Sequence, residues 1–275
     1  MVLPRRLALL HSGLAVLLLA TALPATARAD CEQLFVSGQP PTLLNPRMAQ
    51  RTTPLCNAAY AVLASGITRG PLWSAEYLTA QDLVQARDLP REGRFYEDDR
   101  LPPEDRATLA DYTRSGYDRG HMTPSGDMPS AEAQQQSFAL SNVVPQAPHL
   151  NRDTWEGIES AMRKLAENEG ELYVVTGPAF QGQQIQSLKG RVLIPTATWK
   201  AVYDPAAGGA GAYVCTNVNR PRCTTMSIAA LTRITAIDPF PALPDRVKQV
   251  AINLPPPEAS PYASSRHRSH RRPSY

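Results

Sequence analysis

The chain has 275 residues, a formal net charge of +3, five histidines and four cysteines. Arg5, Arg6 and Arg28 fall in the first 29 residues, which hold no acidic residue, so the remainder is close to neutral. Its basic isoelectric point is therefore no evidence of affinity for nucleic acid, and any anionic partner must be met by locally placed arginines.

The opening residues read as an export leader. Arg5-Arg6 form a basic start, residues 7–23 are mostly apolar, and Ala27-Arg28-Ala29 offers a cleavage site before Asp30. The competing readings are an uncleaved anchor, for which the apolar run is borderline, and a lipoprotein, disfavoured because Asp30 rather than a small residue precedes Cys31. The expected products are a signal peptide over 1–29, one domain over 30–253 and a disordered Pro/Ser/Arg-rich tail over 254–275. An exported chain stays in the periplasm or is secreted, without stable membrane association. All four cysteines, Cys31, Cys56, Cys215 and Cys223, lie beyond the leader, and an even number in an exported chain favours disulfides. Local pairing, Cys31–Cys56 and Cys215–Cys223, is the least costly of three connectivities. A zinc site competes, but no C-x-x-C pair supports it.

Short apolar runs bounded by Gly and Pro predict strands at 60–64, 172–176, 192–195, 199–203 and 212–215. Asp204-Pro205 and Gly208-Gly209 mark a hairpin turn between the last two. The clearest helix spans 151–168, with Asp153 as a capping carboxylate, Gly170 at its end, and Trp155, Ile158, Met162 and Leu165 as an apolar face. Shorter helices are predicted at 130–138, 228–233 and 244–250. The irregular mixture favours an α+β fold over a doubly wound one. In the tail, residues 266–272 form a basic cluster expected to be solvated.

Histidine is the side chain best suited to acid–base chemistry near neutral pH. His11 lies in the leader and His267 and His270 in the tail, which leaves His121 and His149 as candidate bases. His121 follows Asp118-Arg119-Gly120; the glycine reads as a tight turn and the arginine suits an anionic substrate. On the long helix Asn151, Trp155, Glu159 and Arg163 are spaced four apart, which places them along nearly one face. An amide oxygen followed by a carboxylate suits a hydrated divalent ion such as Mg²⁺, which accepts few direct protein ligands. The plainer reading is a capped surface helix with a Glu159–Arg163 ion pair.

Together these segments resemble a known family. Asp118-Arg119-Gly120-His121-Met122 is similar to the D-R-G-H signature of the sugar-non-specific DNA/RNA endonucleases, ββα-metal (His-Me finger) nucleases that include endonuclease G. Leu140-Ser141-Asn142-Val143-Val144-Pro145-Gln146 resembles the second active-site strand. Leu150-Asn151-Arg152 with Trp155 and Glu159 resembles the metal-binding helix. Arg94-Phe95-Tyr96, Asp111-Tyr112, Val175-Thr176-Gly177-Pro178, Ile194-Pro195 and Trp199-Lys200 extend the likeness over roughly residues 56–241. Asp153 and Ala236 depart from it, each standing where a glycine is common.

The resemblance implies a ββα-metal core on a mixed, mainly antiparallel sheet, and Mg²⁺-dependent hydrolysis of DNA and RNA, with Mn²⁺ as a substitute metal. It implies His121 as general base, Asn151 as the direct metal ligand and Glu159 as a ligand through water. Asn142 would position the site, and Arg94, Arg119 and Arg163 would face the phosphate, although Arg91 lies close to Arg94. An ordinary histidine pKa of about 6.5 predicts activity rising from acid toward mildly alkaline pH. The rival readings are an inactive nucleic-acid-binding protein on the same fold and a phosphodiesterase for a smaller substrate. A serine hydrolase lacks its G-x-S-x-G elbow here.

Overall fold

A computed structural model of the chain describes residues 31–259. The leader and the basic cluster at 266–272 lie outside the described residues. In chain order the elements begin β1 (Thr42–Leu43), β2 (Thr52–Cys56), β3 (Tyr60–Ser65), β4 (Gly70–Thr79), α1 (Ala80–Arg87) and α2 (Leu109–Tyr112). Then come β5 (Asp118–His121), α3 (Ala131–Ser137) and β6 (Val143–Gln146). A π-helical turn, Leu150–Trp155, leads into α4 (Glu156–Glu169). The chain continues through β7 (Glu171–Ala179), β8 (Ser187–Leu188), β9 (Val192–Leu193), β10 (Ala197–Asp204), β11 (Gly209–Thr216) and β12 (Cys223–Met226). It closes with α5 (Ile228–Thr235), β13 (Ile237–Asp238) and α6 (Asp245–Gln249).

Seven strands form one sheet in the order β12-β11-β10-β7-β4-β3-β2, antiparallel at every pairing. Period-two alternation divides its side chains between two cores. Trp73, Ala75, Val175, Trp199 and Ala201 pack on one side with Ile228 and Leu231 of α5. Leu78, Leu172, Val174 and Val202 pack on the other with Trp155, Ile158 and Met162. The α+β fold follows from this arrangement: a sheet covered by α5 on one face and by the β5–β6–α4 unit on the other.

β4 is an interior strand, between β7 and β3, and was not among the predicted strands. It is buried on both faces and carries Ser74 and Glu76 inward, so it shows neither alternation nor an apolar run. Two disulfides join Cys31 to Cys56 and Cys215 to Cys223. Gly170, at φ 97°, ends α4. Asp153 does not cap the helix; its carboxylate contacts His149 Nδ1 at 3.2 Å.

The chain remains packed beyond residue 253. Leu254 is buried, the Ile252 amide donates to the Ala210 carbonyl, and the Glu258 amide donates to the Gly157 carbonyl at 2.8 Å. A Cβ on Gly157 would fall 2.3 Å from the Glu258 carbonyl oxygen, so glycine there lets this C-terminal strap lie against α4. Among the described residues no helix is long and apolar enough to cross a membrane.

Candidate active site

β5 and β6 form a separate antiparallel ribbon in which His121 pairs with Val143 and Gly120 with Val144. Gly120 does not serve a turn, because it lies within the strand. A Cβ there would meet Gln146 Oε1 at 2.2 Å, and Gln146 is fully buried. Arg119 and His121 alternate onto one face of the strand, where Phe95 packs against both. Its ring lies 4.6 Å from the Arg119 guanidinium carbon and 5.1 Å from the His121 ring. Phe138 packs edge-on against the same imidazole at 4.8 Å.

This apolar wrapping leaves His121 8% exposed, with Nε2 buried and unpartnered. Burial, with Arg91 and Arg119 nearby, pushes its pKa down to about 3. In the unliganded protein the imidazole is therefore neutral well below the ordinary histidine range. His149 is exposed and paired with Asp153, away from the cleft, so His121 is the base candidate that geometry selects.

His121 opens into a cleft of about 930 Å³ that also takes in Asn151, Glu156, Glu159 and Arg163. The π-helical turn carries Asn151 to the cleft. Trp155 does not share that face: it is buried with Ile158 and Met162 in the core. Asp118, at the start of β5, accepts from Asn151 Nδ2 at 3.0 Å and from Arg152 Nε at 2.6 Å. A carboxylate can only accept, so the amide nitrogen must face Asp118 and the amide oxygen is left to face away from it. Glu159 lies on the boundary between core and cleft, and burial pushes it up to about 7 against the pull of Lys200 and Arg163.

These groups fit a hydrated hard cation. Among the described residues no group of three or more His, Cys, Asp and Glu is placed to hold a metal ion. Mg²⁺ needs no such cage, because it keeps most of its waters and takes one or two protein oxygens. An amide oxygen fixed by Asp118 and a nearby carboxylate supply that donor set.

The arginines divide. Arg91, Arg114, Arg119, Arg152 and Arg163 line the cleft, and Arg94 does not. Arg94 is exposed and engaged through its backbone with Gln135. Arg163 is bound within the protein, to Asp127 at 2.9 Å, Ser160 at 2.7 Å and Glu156 at 3.4 Å. Asn142 lies behind the ribbon, fully buried. Its side chain brackets Thr123, accepting from the amide at 3.0 Å and donating to the carbonyl at 2.8 Å.

The family model described as DNA/RNA non-specific endonuclease matches residues 40–246. The chain belongs to that family. Its relatives include human mitochondrial endonuclease G, 38% identical over 55% of this chain and 54% of that protein. Nuclease C1 of Cunninghamella echinulata var. echinulata is 35% identical over 56% of this chain and 66% of that one. The chain thus spans about half to two thirds of the length of these curated relatives. A chain in the crystal structure of an EndoG/EndoGI complex superposes with a TM-score of 0.65 at 25% identity, covering 74% of this chain and 91% of that chain.

Within this endonuclease fold, two features escaped sequence reasoning. Asp118 was read as part of a motif, but its hydrogen bonds reveal a contact to Asn151 that spans 33 residues of sequence. Beneath Glu159, Lys200 of β10, Glu76 of β4 and Asp127 form a buried charged group. Nothing in a strand's sequence marks which of its polar residues faces inward under a site.

Proposed function

We propose that this protein is an exported, Mg²⁺-dependent endonuclease that hydrolyses phosphodiester bonds of DNA and RNA. The observation that carries the reading is a neutral, buried His121 opening into the same arginine-lined cleft as an Asn151 amide oriented by Asp118. A phosphodiester is shielded by its own negative charge, so attack needs a deprotonated water and neutralisation of the charge that builds on phosphorus.

His121 would take the proton from the attacking water. The arriving phosphate would offset Arg91 and Arg119, raising the affinity of the imidazole for that proton at the moment it is needed. Such a base contributes about 10²–10⁴-fold. Arg119, held by Phe95, and Arg91 would donate to the phosphate oxygens as charge develops. Asn151 would hold the metal directly and Glu159 through water. The bound ion would supply Lewis-acid stabilisation worth several kcal/mol. The nucleophile is external, so a 2′-hydroxyl is not required and one cleft would serve RNA and DNA alike. Both disulfides support residence in an oxidising compartment.

Incubation of the full chain with plasmid DNA and with structured RNA, each in Mg²⁺ and in excess chelator, tests the reading. Cleavage of both polymers in Mg²⁺, abolished by chelator, is the expected result. Full activity in chelator, or cleavage of neither polymer, would sink it.

A further inference from the structure

One polar row crosses the sheet face beneath the cleft, which also carries the buried Glu76 and Thr198. Lys200 pairs across β10 and β7 with Thr176, which pairs across β4 with Ser74. All three are almost completely buried. Lys200 Nζ donates to Thr176 Oγ1 at 2.7 Å and reaches the Met122 carbonyl at 3.5 Å. Ser74 Oγ bonds Thr123 Oγ1 at 2.6 Å. The row therefore grips the two residues that follow His121. The Lys200 ammonium also lies 5.7 Å from the ring centroid of Trp155, at the end of the π turn that carries Asn151. Glu76, Asp127 and Glu159 feel its charge, and Arg163 is the other cation of this set.

A methionine would fill similar volume, but removing one charge from a buried charged group is itself costly to stability, so the lysine's share in folding has to be separated from its share in the site. We propose that Lys200 is a positioning residue of the cleavage site, its buried ammonium tying the His121 strand to the Asn151 turn. This rests on the endonuclease reading above. Loss of the ammonium frees the Thr176 hydroxyl, the Met122 carbonyl and the Trp155 ring together, and displacements of about 1 Å at such a site cost roughly a hundredfold in rate.

The test compares Lys200→Met and Thr176→Val with the parent as full chains, measuring kcat and KM on plasmid DNA in saturating Mg²⁺ beside thermal melts. For folded Lys200→Met the expected result is a roughly hundredfold fall in kcat with KM within about threefold. A purely structural lysine would lower activity only in proportion to the unfolded fraction, so a folded variant with kcat within about threefold of the parent overturns the proposal. Should Lys200→Met fail to fold, Thr176→Val decides. It keeps the charge but removes the anchor, so kcat lower by about tenfold supports the proposal and unchanged kcat overturns it. A parent chain that cuts nothing overturns the endonuclease reading itself, an outcome distinct from a parent and variants that cut equally.

Discussion

Removing the Asp118 carboxylate isolates the orientation of Asn151 from the rest of the site. In the parent, the Asn151 amide nitrogen donates to an ionised acceptor at 3.0 Å. A hydrogen bond to a charged group contributes about 1.5–3 kcal/mol, which biases the amide toward the orientation that leaves its oxygen for a cation. With Asp118→Ala that bias disappears and the two amide orientations become comparable. Halving the competent population alone costs about twofold; the lost negative charge beside the cation and the loosened ligand bring the expected fall in metal affinity to 10–100-fold, the range for groups that orient a metal ligand. Stability should change far less, because the other partner of Asp118 is Arg152, whose side chain is 50% exposed, and such pairs contribute about 0–1 kcal/mol. The assay is the Mg²⁺ dependence of cleavage at fixed substrate, beside a thermal melt. Half-saturating Mg²⁺ rising 10–100-fold with a nearly unchanged melt is the expected outcome. An unchanged Mg²⁺ requirement and turnover would refute the orienting role of Asp118.

Acid sensitivity supplies a second check. The folded His121 value is pushed down to about 3 from an ordinary value near 6.5, so its share of stability is complete above about pH 6.5 and is lost as pH falls toward 3. His121→Phe, which suits the Phe95–Phe138 setting, should lose about 3 kcal/mol less than the parent between about pH 7 and pH 4 in denaturant melts; equal losses would contradict this. At the cleft rim, Arg91→Ala should weaken cleavage about tenfold in a kcat/KM assay and Arg94→Ala should leave it nearly unchanged, the reverse result assigning the phosphate contact to Arg94. Ala236, the C-cap of α5, is held at φ 56° in the left-handed region. Relieving it with Ala236→Gly should raise stability by about 1 kcal/mol, seen as a higher thermal midpoint.

Strands with clear apolar runs were legible in the sequence, as β7, β10 and β11 show, and so was the apolar stripe of α4. β4 was not, because a strand buried on both faces with Ser74 and Glu76 pointing inward has no pattern to detect. The apparent shared face of Asn151, Trp155 and Glu159 assumed a regular helix throughout. The π turn ends at Trp155, which the core takes up while Asn151 reaches the cleft. His121 was legible through the scarcity of histidines, but its depressed pKa arises from Phe95 and Phe138, 26 residues before it and 17 after. Arg91 and Arg94 lie in one irregular segment, where spacing carries no directional information. The strap at 254–258 was hidden by a proline-rich composition that reads as disorder; what holds it is the core around Leu254, the Tyr213 hydroxyl on the Pro255 carbonyl and the close approach that Gly157 permits, all remote in sequence.

The most direct test of the central claim is the single-turnover rate of His121→Ala on plasmid DNA in saturating Mg²⁺, with circular dichroism to show that the variant is folded. Loss of the water-activating base predicts a rate about 10²–10⁴-fold below the parent with the fold retained. A folded variant that cuts at a rate within about threefold of the parent would contradict the account.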